Sequence, residues 1–518
     1  MTTRHAASRA LLILLTLFLF ASVIGCATKQ QDEAQGTPGM KQLTLMLHFK
    51  SSTLDPHNDF TPLRAGITET LVKLDNDLKL QGWLATEWEA LDEITWTFTI
   101  RDGVTFHDGT KLDAEAVKAS FERGLSVSKR LAGLKISSME ADGQKLKIVT
   151  AEPNPALPSE LVNPYASVVS VAAEEAMGTE AFNNTPVGTG PFKVTKFTPN
   201  IEAHLERYED YWDGKAKLDQ AVVLFNEDAN VRTLALQSGE ADIAWSLPAE
   251  SIRVIENEAG LRVESLASLR VHFVLYNQDK PQMQDLSVRQ ALNHLLDRES
   301  AANDVMLGNA TPANGPFNSK LPFGSDAPAV EHNIEKAKQL LMNAGYVLGT
   351  DGKMSKDGQP LKLELITYSA RPELPLIAQL LQSDAAKAGV TIEIKTVEDS
   401  DHYLRGNRDW DLATYSNLTA PRGDGGFFLN SAFAPGGSLN PGNIDVPELN
   451  AVLQQLNNES DVTKRNKFIA QAVAVIDKEV LHSYAVFPNL IIGVNERIVN
   501  WSPGREEFYI LTSTMDVK

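Results

Sequence analysis

The side chains with the clearest chemical potential in this sequence are arginines in glycine-rich loops, ten histidines and one cysteine. Arg422 stands in Ala420-Pro421-Arg422-Gly423-Asp424-Gly425, where a planar guanidinium could meet a carboxylate through two parallel charge-assisted hydrogen bonds. Imidazole suits nickel, copper and zinc, yet no two histidines stand at metal-ligand spacing. His57, in Leu54-Asp55-Pro56-His57, is the leading single candidate for a metal ligand, ahead of His402 and His482; the alternative is a loop residue satisfied locally. His294 falls on the outer face of an expected helix. A lone cysteine excludes a disulfide framework and any cysteine-rich zinc or iron–sulfur site.

Catalytic signatures are absent: there is no G-x-S-x-G, H-E-x-x-H or Walker loop. Gly188-Thr189-Gly190-Pro191-Phe192 holds a lone G-x-G, but Pro191 cannot donate an N–H to a phosphate, so a turn is expected. Asp75-Asn76-Asp77 opens like a calcium loop, and Leu80 and Thr86 occupy the positions that need glycine and an acid. The lack of a recognisable nucleophile or acid–base constellation weighs against the rival reading of a secreted hydrolase built on two acidic cleft residues. Lys plus Arg number 48 against 67 Asp plus Glu, and the net charge of −19 argues against a nucleic-acid partner.

The N-terminus carries its own signal. Arg4 and Arg9 precede the apolar run Ala10 to Phe20, which is too short for a comfortable membrane span, and Val23-Ile24-Gly25-Cys26 follows. Small residues before a cysteine at this place resemble the bacterial lipobox, which makes residues 1–25 a signal peptide and Cys26 a lipid anchor. The alternative is an uncleaved anchor helix. Ala27 to Met40 is polar and contains Pro and Gly, as a tether should.

The elements that must position these side chains alternate in type along 518 residues, which indicates a mixed α/β protein of more than one lobe. Lys41 to Phe49 and Trp96 to Ile100 read as strands, Thr61 to Leu74 as a helix opened by Thr61-Pro62, and Asp113 to Phe121 as a helix capped by Asp113. Leu286 to Asp297 and Glu335 to Ala344 read as helices. Leu361 to Ile366 and Val390 to Ile394 flank a helix near 376–388, a βαβ pattern, and Ala485 to Val494 reads as a strand returning to the first lobe.

The blocks Glu69-Thr70-Leu71-Val72, Leu84 to Trp88, Trp96 to Gly109, Gly188 to Phe192, YEDYWDG from Tyr208, ALQSGEAD from Ala235, Asp285 to Asp297 and Ala337 to Gly345 stand in one order. This order resembles the large peptide- and nickel-binding class of ABC-importer solute-binding proteins, family 5. The resemblance implies a two-lobed periplasmic-binding-protein clamp (class II, cluster C type) with an extra domain inserted in lobe one. Lobe one would span 41–265, with the insert at about 76–184, lobe two 266–485, and the return to lobe one 486–518. Trp88 and Trp96 would then be core.

Peptide binders of the family carry an Asp where this chain has Ala420, and a methyl cannot hold a buried ammonium. Ala420-Pro421 resembles instead the nickel and metallophore branch. That resemblance implies ligand roles for Arg422, for Arg64 before Gly66-Ile67-Thr68-Glu69-Thr70, and for Arg130, with Tyr415, Asn417, Asn440 and Asn443 completing hydrogen bonds. It departs from the nickel protein at Ala166, near which that protein has an arginine. The expected function is a monomeric, lipid-anchored extracytoplasmic protein that captures nickel or a related divalent metal as an organic chelate, needs no cofactor, and delivers to a permease and its ATPase. An oligopeptide or opine binder without metal is the alternative.

Overall fold

The computed structural model describes residues 39–369 and 371–518. The expected signal peptide, Cys26 and nearly all of the tether lie outside them. Among the described residues no helix is long and apolar enough to cross a membrane.

The strand Gln42–Leu47 buries Leu43, Leu45 and Leu47 and lies parallel to Gln220–Phe225 and Ile243–Ala244. Glu202–Arg207 and Phe192–Thr198 extend this sheet antiparallel at one edge. A second sheet is built on Arg270–Tyr276, Leu412–Leu418, Lys362–Tyr368 and Thr391–Val397. Its last two strands are parallel, with Leu363 opposite Ile392, and the helix Glu373–Lys387 makes the crossover, as the βαβ pattern requires.

One strand of 14 residues, His482–Asn495, belongs to both sheets. Its first half pairs with Arg270–Tyr276, its second with Leu261–Ala267 and Ile243–Ala244. Pro488 sits where it changes partner, and the Pro488 carbonyl accepts from Ser268 Oγ at 2.8 Å beside the other crossing, between Ala267 and Arg270. Proline has no N–H to give a ladder, so the interruption falls where the ladder changes hands. Two α/β lobes on two crossing segments form the clamp that the resemblance implied.

A separate four-stranded antiparallel sheet (Ala85–Ala90, Thr95–Ile100, Lys145–Thr150, Ile136–Asp142) carries the helix Ala114–Val127. Asp113 caps that helix as expected, its Oδ1 accepting from Ala116 N at 2.9 Å. Trp96 is 9% exposed and donates to the Asn154 carbonyl at 3.0 Å, a core role. The hydrophobic cluster that holds Phe98 and Phe121 runs on into Phe273 and Phe428 of the second lobe.

One expected element fails. The helix predicted for 61–74 covers only Thr61–Arg64, and Val72–Leu74 is a strand. Gly66 turns the chain at φ +64°, and the backbones of Gly188 and Gly190 press against residues 66 and 67 so closely that a Cβ on Gly190 would lie 2.3 Å from the Gly66 carbonyl oxygen. The lone G-x-G is therefore a close backbone crossing that ends the helix at Arg64. Thr61 is not the cap either: its own N–H donates to Asp59 Oδ1 at 2.7 Å.

Candidate functional site

The first lobe presents two of the expected arginines on one aromatic wall. Arg64, in the single helical turn, donates Nε–H to the Glu507 carbonyl at 2.9 Å and lies over the rings of Phe49 (4.7 Å) and Phe60 (5.4 Å). Arg130, in the short helix Lys129–Ala132, lies over Tyr165 at 4.7 Å and over the same Phe60 at 5.7 Å. Stacking orients a guanidinium and leaves its N–H edge free for an anion. Glu507 keeps a left-handed backbone at φ +64°, an uncommon state for a non-glycine residue, and in that state its carbonyl receives Arg64.

The third, Arg422, comes from the second lobe and closes on the first. Its guanidinium pairs with Glu160, covers Phe427 at 3.9 Å, and its backbone carbonyl accepts from Ser159 Oγ at 2.6 Å. Burial, reinforced by the charge of Arg130, pulls its pKa down to about 9, which leaves it cationic at neutral pH. Asp424 is not its partner: both Asp424 oxygens are held by Arg465 at 2.9 Å.

Three further groups complete the cleft, and the sequence reading did not single them out. His48 follows the first strand, makes no hydrogen bond through its buried Nδ1, and has its pKa pushed well below the usual imidazole range by burial and then by Arg64, Arg371, Arg232 and Arg270. Arg232 is spent on the carbonyls of Trp245, Asn226 and Ser246. Arg270, at the start of its strand, donates to Ser416 Oγ at 3.3 Å, and burial followed by Arg371 lowers its pKa to about 10. Among the described residues no carboxylate stands at ion-pair distance from Arg64, Arg130, Arg270 or Arg371. Asp59, Glu507 and Glu373 offset part of this charge from a distance, and guanidinium groups without a contacting carboxylate leave room for an anion to join them. The one available signal was the place of His48 at the carboxyl end of a parallel strand, where α/β sheets gather ligands.

Other expected residues lie elsewhere or serve the fold. Tyr415 is 9% exposed, packed edge-on to Phe273 and Tyr368, and Asn417 lies half-buried on the same strand opposite Val271. Asn440 staples its own loop, donating to the Ala434 and Ile444 carbonyls and accepting from Ile444 N. Asn443 is exposed and donates to Asp279, near the end of Arg270–Tyr276 opposite to Arg270. Seven residues at about 3.3 Å each put roughly 20 Å between those ends. Neither amide reaches the arginines.

His57 is corrected from metal ligand to structural residue. It is 0% exposed; Nε2 donates to the Ser167 carbonyl at 3.1 Å and Nδ1 accepts from Arg123 at 2.8 Å, so both nitrogens are occupied. Arg123 also pairs with Asp55 and Glu174. His482 is stacked on Phe273 at 5.0 Å in the core, and His402 is exposed on the helix Ser400–Gly406.

Known proteins share the sequence pattern and the fold of this chain. The description of bacterial extracellular solute-binding proteins, family 5 Middle, fits residues 79–440. The chain is 35% identical over 472 residues to the nickel-binding protein NikA of Staphylococcus aureus, covering 91% of this chain and 93% of that one. Its structure is similar to that of a nickel ABC transporter protein from Bacillus halodurans (43% identity, TM-score 0.80, 92% of this chain and 100% of the other). It is also similar to S. aureus NikA in complex with Ni(L-His)2 (34% identity, TM-score 0.79, 92% of this chain and 100% of the other). A match over most of the chain, in a two-lobed clamp with a cationic cleft, places this protein among the bacterial extracellular solute-binding proteins of family 5.

Proposed function

We propose that this protein captures nickel, or a related divalent metal, as an anionic organic chelate for an ABC importer. The observation that carries the reading is the set of arginines with no carboxylate at ion-pair distance: Arg64, Arg270 and Arg371 act on His48, whose buried Nδ1 has no partner, and Arg130 stands beside Arg64 on Phe60. Guanidinium groups bind the carboxylates of an amino-acid chelate in a fork, and a neutral imidazole beside them suits a metal coordination position that the chelator leaves open. His48 is held neutral by its burial and by the surrounding charge, which is the protonation state a ligand needs. Relatives whose names and structures report nickel and a nickel–histidine complex support the choice of cargo.

Closure completes the site. Arg422 and Ser159 join the lobes directly, and the Gly423 backbone approaches the Leu78 carbonyl so closely that a Cβ would lie 2.6 Å from it. A chelate that bridges Arg64 of one lobe and Arg270 or Arg371 of the other stabilises the closed clamp by its differential contacts. Docking of the closed form on a permease with its ATPase, anchoring through a lipid on Cys26, an extracytoplasmic location and a monomeric state are part of this proposal, as are lobe limits at 41–265 and 266–485.

Native mass spectrometry of residues 27–518, which contain every described element, tests it. Incubation with nickel plus free L-histidine yields a mass increase of one chelate, and histidine alone yields none. No chelate-sized increase in the nickel–histidine mixture refutes the reading; peptides retained in the absence of metal would put the peptide or opine alternative first.

A further inference from the structure

Away from the cleft, three separate segments of the second lobe bring metal-ligating side chains together. Asp297 caps the short helix Arg298–Ser300, its Oδ1 accepting from Ser300 N at 3.0 Å. His332 stands two residues ahead of the helix Ile334–Asn343, and Asp384 lies in the last turn of Glu373–Lys387. One donor atom from each lies within 4.8 Å of the others. Among the described residues this is the one such group of three.

The chemistry of the three is incomplete without a cation. His332 Nε2 is closed off from solvent and makes no hydrogen bond, although Asp384 Oδ2 is 2.9 Å away, because the contact lacks hydrogen-bond alignment. Its Nδ1 is 3.8 Å from Asp297 Oδ2, too far to bond. Asp384 is 3% exposed, and the side chain that meets it as a counter-charge is Lys387, at 2.6 Å from Oδ1, on a stem that is 58% exposed. A buried carboxylate beside an orphan imidazole nitrogen is costly, and one divalent ion satisfies both.

The surroundings allow entry. Asp297 and His332 line a cavity of about 860 Å³ whose wall also carries Glu299, Asp326 and Glu331. The guanidinium of Arg298, on the same wall, is consumed by the carbonyls of Tyr484, Asn293, Leu296 and Val330. One imidazole and two carboxylates suit zinc, cobalt or nickel with a water in the fourth position, whereas calcium asks for six or more oxygens. Ligand atoms about 2.1 Å from a tetrahedral ion stand roughly 3.4 Å apart, and one donor atom from each of the three residues already lies within 4.8 Å of the others, so small side-chain movements close the site.

We propose that Asp297, His332 and Asp384 form a second metal site, for a bare divalent transition-metal ion, in lobe two beside a cavity that none of the cleft arginines lines. An ion there ties the segment before Ile334 to two helices of the lobe.

Zn2+ without any chelator, titrated by calorimetry into metal-stripped residues 27–518, tests this. One ion binds per chain; His332→Ala and Asp384→Asn each weaken it at least tenfold, and His48→Ala leaves it unchanged. The variants melt at the same temperature as the parent in the absence of metal. Absence of binding in the parent, parental affinity retained in both site variants, or loss confined to His48→Ala would overturn the proposal. Should a variant fail to fold, anomalous diffraction at the zinc edge from parent crystals decides: a peak between the three side chains supports the site, and a peak only elsewhere refutes it. A nickel–histidine complex that still binds after His332→Ala keeps the cleft reading separate from this one.

Discussion

His57 provides the sharpest test of the reasoning, because its ring is a metal-ligand candidate by sequence and a structural group by geometry. Burial, followed by the neighbouring charge of Arg123, holds its pKa down at about 4. In the unfolded chain the value is about 6.5. The unfolded state therefore binds more protons between those values, so the stability this ring contributes is fully present above pH 6.5 and is lost as pH falls toward 4. At pH 4.5 the shift amounts to about 2.5 kcal/mol, at 1.36 kcal/mol per unit. The perturbation is His57→Gln, which removes the titrating ring, and the assay is denaturant unfolding of both proteins at pH 7 and at pH 4.5. The parent should lose about 2–3 kcal/mol more than the variant over that interval. His107 and His482, lowered to about 4 and about 3 by burial, titrate in both proteins and cancel in the comparison. At pH 7 the variant should be less stable, since Arg123 and the Ser167 carbonyl lose their shared partner, while its nickel–histidine affinity is unchanged. Equal acid losses in the two proteins, or a chelate affinity that collapses with stability intact, would refute the structural assignment.

Three other perturbations separate cleft from scaffold. Arg371→Ala removes one guanidinium from the cleft and should weaken nickel–histidine binding about tenfold to a hundredfold, the worth of a charge-assisted pair, whereas Asn443→Ala, whose amide serves Asp279, should leave titration calorimetry unchanged. Gly190→Ala drives a Cβ into the Gly66 carbonyl, so it should cost about 1–3 kcal/mol in chemical denaturation and also weaken binding, because Arg64 lies two residues from Gly66. Glu69→Gln keeps one oxygen for Trp212 Nε1 and Thr189 Oγ1 and turns an amide N–H on Tyr211 Oη, which must then accept; with a charge-assisted contact made neutral, thermal melts should show about 1 kcal/mol of lost stability with binding intact.

The legible part of this protein was what local chemistry decides. Alternation along Gln42–Leu47 and Thr95–Ile100, the Asp113 cap, and the strand–helix–strand run from Lys362 to Val397 each depend on neighbours within a few residues, and all were expected. The segment after Thr61 misled because its end is set by Gly188 and Gly190, more than a hundred positions away, pressing on Gly66. Arg64 and Arg130, which carried a family pattern, share the ring of Phe60, whereas Arg422 is spent on Glu160 and Phe427 within reach of the Arg130 charge.

Tertiary structure alone decided the rest. Arg270 and Arg371 sit in no motif; their role arises because Arg270–Tyr276 starts at the crossing between lobes and the Lys362–Tyr368 strand ends beside it. His57 changed meaning when Arg123 and Ser167 arrived from distant segments to occupy both of its nitrogens, while His48 gained meaning because its buried Nδ1 received no partner. Residue type and spacing thus determined a charged α/β protein of more than one lobe, and the resemblance to a family supplied the clamp. Which nitrogens are spent and which stay free is a property of long-range packing, since burial strips water from a polar group and only the folded neighbours can replace it.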